Sequence, residues 1–356
     1  MDSENNKKLP VADPLKSEGK EKNGSAMTKQ GAYAAISYMA SAVLLVMFNK
    51  AALSSYSFPY ANVITLFQML CSCLFLYVLK FWKIISFTTS EPQNMSNNPA
   101  RLVSFKTLLH SLPLALSYLL YMLITMESVR AINVPMYTTL RRTTVAFTMI
   151  VEYLLTGQKH SLRVVGSMQT GSYQSKFGRP YYDFISVGII ILGAFVAGAR
   201  DLSFDAYGYA VVFVANICTA VYLASIARIG KSSGLNSFGL MWCNGIICGP
   251  ILLFWTSIRG DLEAMRNFPF LFSPGFQVVM LLSCIMAFLI NYFVFMNTTL
   301  NSALTQTICG NLKDLFTIGF GWILFGGLPF DLLNVVGQSL GFFGSCLYAY
   351  YKLKGQ

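Results

Sequence analysis

The chain has 356 residues, of which 54% are hydrophobic and only 12% charged, against about a quarter in an ordinary soluble domain. Its mean hydropathy is +0.53 and its formal net charge is +11, from 26 basic and 15 acidic residues. These values exclude a disordered chain, a coiled coil and a small disulfide-framed domain, and they point to a polytopic membrane protein rather than a soluble one. So apolar a body has too little polar surface for nucleic acid, so no nucleic-acid partner is expected and the basic residues are read against membrane lipid.

Residues 1–30 form a polar tail. Up to Lys29 it holds six lysines and five acids and lacks the apolar core of a signal peptide, so it is expected to be solvated and disordered. Apolar stretches of about 20 residues follow, the length that crosses a bilayer as a helix. They run over 32–53, 59–79, 107–127, 135–156, 184–199, 206–227, 236–257, 275–296, 302–325 and 332–351. The fifth is short. Open strands cannot satisfy their backbone in lipid, so the expected fold is all-α, with ten transmembrane helices in one body over 31–351 and a short tail over 352–356.

The connections set the orientation. Lys80, Lys83, Arg101 and Lys106 lie between spans 2 and 3, Lys159 and Arg163 after span 4, Arg228 and Lys231 after span 6, and Lys352 and Lys354 at the end. The opposite side has only Lys50, Arg130, Arg200, Arg259 and Arg266. The excess puts both termini in the cytosol. The sequons at Asn94 and Asn297 then face the cytosol and are expected to stay unglycosylated.

Span 4 contains Thr139-Leu140-Arg141-Arg142 and span 9 contains Asn311-Leu312-Lys313-Asp314, each followed by an apolar run ending in glycine. Five spans separate them, so two such halves have opposite topology, the inverted repeat of transporters with a midplane site. Ionisable groups inside a span cost about 2.5–3.5 kcal/mol each and need a partner or a function. Lys313 lies too deep to snorkel easily. Clustered cations facing a midplane cavity favour an anion such as a diphosphate, which suits the planar Arg fork and the mobile Lys charge. The competing reading is a structural ion pair of Lys313 with Asp314 or Glu152. Adjacent Arg141 and Arg142 point about 100° apart. Arg141 is favoured for the cavity, and Arg142 is open to either role. Gly188, Gly193 and Gly198 are read as close-packing positions.

The eight cysteines lie in apolar stretches and are read as core residues; His110 and His160 sit at span ends. No Cys/His cluster has metal-ligand spacing, no His lies mid-span and the intramembrane acids are unpaired. No catalytic residue, metal or cofactor is therefore expected, and enzyme classes fail on inventory.

Phe48-Asn49-Lys50, Phe58-Pro59, Val134-Pro135-Met136-Tyr137-Thr138-Thr139-Leu140-Arg141-Arg142, Leu192-Gly193-Ala194-Phe195-Val196-Ala197, Leu300-Asn301-Ser302-Ala303-Leu304-Thr305 and Gly310-Asn311-Leu312-Lys313 occur in this order. With them the chain resembles the nucleotide-sugar transporters of the drug/metabolite transporter superfamily over nearly its full length, most closely the UDP-N-acetylglucosamine/UDP-glucuronate branch. The resemblance implies exchange of a cytosolic UDP-sugar for lumenal UMP, usually in the Golgi. UDP-N-acetylglucosamine is the first substrate expectation. In GDP-mannose carriers of the family, Phe-Tyr-Asn-Asn on helix 7 and Gly-Ala-Leu-Asn-Lys on helix 9 recognise the nucleotide. Here Met241-Trp242-Cys243-Asn244-Gly245 keeps Asn244 alone, and the Asn directly before Lys313 is missing, which argues against a GDP-sugar. The expected substrate-binding set is Tyr137, Arg141, Asn244, Ser302, Asn311 and Lys313. A homodimer stays open.

Residues 168–186 are polar and Tyr-rich and read as an insertion that shortens helix 5, because joining Ser167 to Val187 restores one apolar run. Lys352 and Lys354 resemble a dilysine signal for coat proteins, which keeps the endoplasmic reticulum open beside the Golgi. The alternatives are a phosphorylated-metabolite exchanger of the triose-phosphate type and a non-transporting membrane scaffold.

Overall fold

The computed structural model describes residues 27–52, 56, 58, 60–88, 103–132, 134–156, 178–198, 206–325 and 332–354. Thirteen α-helices lie among them: α1 (Lys29–Lys50), α2 (Ala61–Phe81), α3 (Phe105–His110), α4 (Leu112–Ala131), α5 (Val134–Arg141), α6 (Thr144–Thr156), α7 (Gly178–Gly198), α8 (Ala206–Ser232), α9 (Ser237–Ile258), α10 (Asp261–Arg266), α11 (Pro274–Leu300), α12 (Ala303–Phe325) and α13 (Leu332–Lys354). Each apolar stretch of the sequence falls on one helix or on a broken pair, α3 with α4 and α5 with α6. Among the described residues five helices are long and apolar enough to cross a membrane: those at Lys29–Asn49, Asn62–Phe81, Ala206–Ser232, Ser237–Ile258 and Pro274–Leu300. Leu112–Thr125 and Asp183–Ala197 are shorter apolar helical runs. The chain is a polytopic helical membrane protein.

Helix ends depart from the apolar boundaries where polar residues serve as caps. Thr28 caps α1, its Oγ1 accepting the Gly31 N–H at 3.0 Å, so the end of the expected tail belongs to the helix. Residues 1–26 lie outside the described set. Helix α7 is not shortened: it begins at Gly178 and takes in the last nine residues of the expected insertion, with Pro180 in its first turn, where a missing N–H costs nothing. The rest of that insertion also lies outside the described residues. Lys352 and Lys354 are part of α13, and Lys354 Nζ donates to the Tyr350 hydroxyl at 3.4 Å.

Packing relates distant spans. Helix α1 lies against α11 and α12, α8 against α4 and α6, α2 against α9 and α11, and α6 against α12. The most extensive pair is α7 with α13. There a Cβ on Gly193 would sit 2.5 Å from Gly337 O, and one on Gly337 would sit 2.4 Å from Ala197 N, so only glycine permits this approach. Gly188, read as a packing glycine, faces open space instead. Gly198 is the last residue of α7.

Hydrogen bonds identify one side of the bundle. Met27 N donates to Lys352 O, joining the start of α1 to the end of α13. Asn236 N donates to Phe87 O and its Nδ2 to Ser86 O, joining the start of α9 to the segment after α2. The C-terminal end of α11 meets α1 through Asn301 Nδ2 and Gly31 O at 3.0 Å, and Thr299 packs on Gly230 of α8. The Asn297 sequon lies inside α11 with Asn297 fully buried, whereas Asn94 lies outside the described residues.

Candidate functional site

A cavity of about 910 Å³ lies between α1, α2, α4, α5, α6, α8, α11 and α12, within the size range of small-molecule sites. Away from the termini its lining reaches Tyr60, Asn62, Arg259 and Asp261, where Asn62 Nδ2 donates to Asp261 Oδ2 at 3.1 Å. Toward the termini it stops at Leu223, Thr307 and Gln306. Beyond Gln306 a chain of polar side chains links α12, α11 and α1. Asn297 Nδ2 donates to Gln306 Oε1, and Asn301 Nδ2 donates to both Asn297 Oδ1 and Gly31 O.

Another wall of the cavity is a broken helix. Between α5 and α6, residues 142–143 form a turn with i→i+3 bonds, Arg142 N to Thr139 O and Thr143 N to Leu140 O. Such breaks persist in a membrane when side chains take up the freed backbone groups. Asn216 of α8, fully buried, does this: its Nδ2 donates to Leu140 O and Thr143 Oγ1, both at 3.0 Å. Its Oδ1 accepts from Thr144 Oγ1 at 2.8 Å and from Arg141 Nη1 at 3.2 Å. Arg141 Nη1 also donates to Thr219 Oγ1 at 2.8 Å, and the guanidinium lies 5.9 Å from the centre of the Tyr137 ring. Arg141 therefore lines the cavity with one nitrogen anchored by neutral oxygens. Among the described residues it has no carboxylate partner.

Helix α12 faces it with Gly310, Asn311, Lys313 and Asp314. Lys313 Nζ and Asp314 Oδ1 form an ion pair at 2.7 Å, the structural pairing that the sequence left open; Glu152 instead accepts the Leu304 N–H at 2.9 Å, at the start of α12. Asn311 is 7% exposed, and its Nδ2 has no hydrogen-bond partner. Thr125 Oγ1, also in the lining, is likewise unpartnered. Leaving such a group unsatisfied costs about 1–3 kcal/mol.

Of the six residues expected in one site, Tyr137, Arg141, Asn311 and Lys313 converge on this cavity. Two do not line it. Ser302 caps α12, its Oγ accepting the Thr305 N–H at 3.1 Å, and Asn244 is buried on the face of α9 toward α4, its Oδ1 accepting from Cys248 Sγ at 3.6 Å. Arg142 points away from the cavity. It is 4% exposed, donates to Gln338 O at 3.1 Å and Gln338 Oε1 at 3.4 Å, and stacks 4.5 Å over Phe342. Gly341 makes room for it.

The sequence reading does not pick out the aromatic wall. Tyr121 and Tyr222 stack at 5.5 Å with rings 5° apart, and Tyr118 lies 5.4 Å from Tyr222. With Tyr38 all three line the cavity. The signal is present as Tyr118-x-x-Tyr121, one face of a helix, but within apolar spans it resembles packing material.

Residues 178–349 match the Triose-phosphate Transporter family. Over 99% of both chains, the sequence is 64% identical to the UDP-N-acetylglucosamine transporter UGNT1 of Arabidopsis thaliana. It is 32% identical to the UDP-sugar transporter sqv-7 of Caenorhabditis elegans, over 91% of this chain and 89% of that one. Identity to the nucleotide sugar transporter SLC35D2 of Homo sapiens is 30%, over 90% and 86%. These relatives are transporters, not enzymes. The chain belongs to the nucleotide-sugar transporter family.

Proposed function

We propose that this chain is an antiporter that exchanges a cytosolic UDP-sugar, first of all UDP-N-acetylglucosamine, for lumenal UMP by alternating access. The observation that carries the reading is the cavity itself. Arg141, with no carboxylate partner among the described residues, and Lys313 line it from two walls, with the unpartnered Asn311 Nδ2 between helices of the same site. Two cations and a free amide donor suit a phosphorylated, hydrogen-bonding ligand. The substrate named for the relative with 64% identity supports the choice of sugar nucleotide.

In this reading ten spans cross the membrane as two inverted halves. The packing supports it: α1 against α11 and α12 is matched by α8 against α4 and α6, the same pairs displaced by five spans. The termini lie in the cytosol, on the Golgi membrane or the endoplasmic reticulum, with Lys352 and Lys354 in the last turn of α13 as the contact for coat proteins. The cavity is then lined toward the lumen and closed toward the cytosol. Exchange follows from electrostatics, because an empty cavity with the Arg141 charge uncompensated crosses poorly and a bound anion offsets its desolvation. The test is counterflow in liposomes loaded with UMP and given labelled UDP-N-acetylglucosamine outside. Lys313→Ala is expected to insert normally and to exchange nothing. Wild-type rates in Lys313→Ala vesicles sink the assignment.

A further inference from the structure

The two cations of the cavity are compensated differently. Arg141 is held by the neutral oxygens of Thr219 and Asn216, so its charge stays uncancelled. Lys313 is cancelled by its own neighbour, Asp314, at 2.7 Å. Adjacent residues on a helix do not face each other, so this contact exists only because the lysine stem bends toward the carboxylate. The ammonium is a point charge on a flexible stem and can be re-aimed, whereas the aspartate is short and fixed on the backbone. Both side chains border the cavity, 22% and 33% exposed, so a ligand reaches them without unfolding the helix. The remaining charged lining groups, Arg259 and Asp261, stand at the mouth away from the termini, where Asp261 is engaged by Asn62.

We propose that Asp314 is a built-in counter-anion: it holds Lys313 while the cavity is empty and gives it up to the substrate phosphate on binding. This rests on the reading of the cavity as an anion-transport site. Two consequences follow. First, Asp314 competes with the substrate, so removing its charge tightens binding and slows release. Second, Asp314 lets the empty carrier reorient with only Arg141 uncompensated. The protein therefore carries out slow one-way transport of UMP in addition to exchange, and this activity depends on Asp314.

The experiment uses the full chain in detergent and in liposomes, with UMP as the probe. Asp314→Asn is expected to bind UMP roughly tenfold more tightly than wild type, since an opposed charge pair must no longer be broken. Its UMP efflux into buffer without nucleotide is expected to fall relative to its UMP–UMP exchange. Asp314→Ala serves the same purpose if the Asn variant does not fold. Equal or weaker UMP binding by the folded variants, or an unchanged ratio of one-way efflux to exchange, overturns the proposal. Failure of folded wild type to bind UMP overturns the transport reading instead, so the two failures are distinguishable.

Discussion

Arg141 and Arg142 are neighbours in sequence, yet the structure gives them opposite jobs. Arg141 lines the cavity and spends Nη1 on Thr219 and Asn216, and among the described residues no hydrogen bond engages its Nε and Nη2 edge. Two charge-assisted hydrogen bonds from that edge to a phosphate contribute about 1.5–3 kcal/mol each, less where they are not independent. Arg141→Ala is therefore expected to weaken UMP binding by about 3–4 kcal/mol, roughly 150- to 1,000-fold. Arg141→Lys keeps the charge without the fork and falls between, roughly 10- to 100-fold weaker. Arg142→Ala loses two bonds to Gln338 and the stacking on Phe342, all toward α13, and is expected to cost about 2–4 kcal/mol of stability. Its UMP affinity should stay within about threefold of wild type. The assay is UMP binding to purified protein, alongside thermal unfolding of each variant without ligand. Folded Arg141→Ala with near wild-type affinity refutes the assignment. So does Arg142→Ala that keeps its stability and loses binding.

Other expectations are checked on the same material. Gly337→Val should yield little folded protein in a size-exclusion profile, because even a Cβ there meets Gly193 O and Ala197 N at 2.4 Å, whereas Gly188→Ala faces open space and should unfold within about 0.5 kcal/mol of wild type. Asn297→Gln should leave electrophoretic mobility unchanged in glycosylating cells, because Asn297 is fully buried inside α11; a faster-migrating variant contradicts that placement. Deleting residues 168–186 should preserve exchange. It puts Ser167 in the place of Ser186, which is fully buried where α7 packs on Gly344, and supplies Arg163–Gly166 as the preceding turn. Clear loss of exchange rules this out.

Apolar length is a local property, and for that reason the helices were legible from sequence. What required the fold was any feature set by a distant partner. Adjacent arginines announced that only one faces a cavity, but the break at 142–143 that aims them is held by Asn216, some 75 residues away. Lys313 was legible as a buried cation, and Asp314 as a possible partner; that both border the same cavity as Arg141 was not. Transfer by motif placed Asn244 in the site, whereas its face of α9 is turned toward α4, where Cys248 Sγ donates to Ala115 O. Ser302 carried a hydroxyl at a suggestive position, but it sits where a helix begins, and an N-cap uses that hydroxyl locally. Tyr118, Tyr121 and Tyr222 were hidden because aromatic residues in apolar spans look alike until their rings are seen to share a cavity. The start of α7 was hidden because its first turns are polar.

The central claim is that the Arg141–Lys313 cavity carries a sugar nucleotide against a nucleoside monophosphate. Its most direct test is uptake of labelled UDP-N-acetylglucosamine into liposomes that differ only in what they contain: UMP, GMP, CMP, a triose phosphate or buffer. Uptake driven strongly by UMP, weakly by buffer and not by triose phosphate is the predicted result. Equal uptake whatever the internal load, or uptake driven by triose phosphate alone, contradicts it.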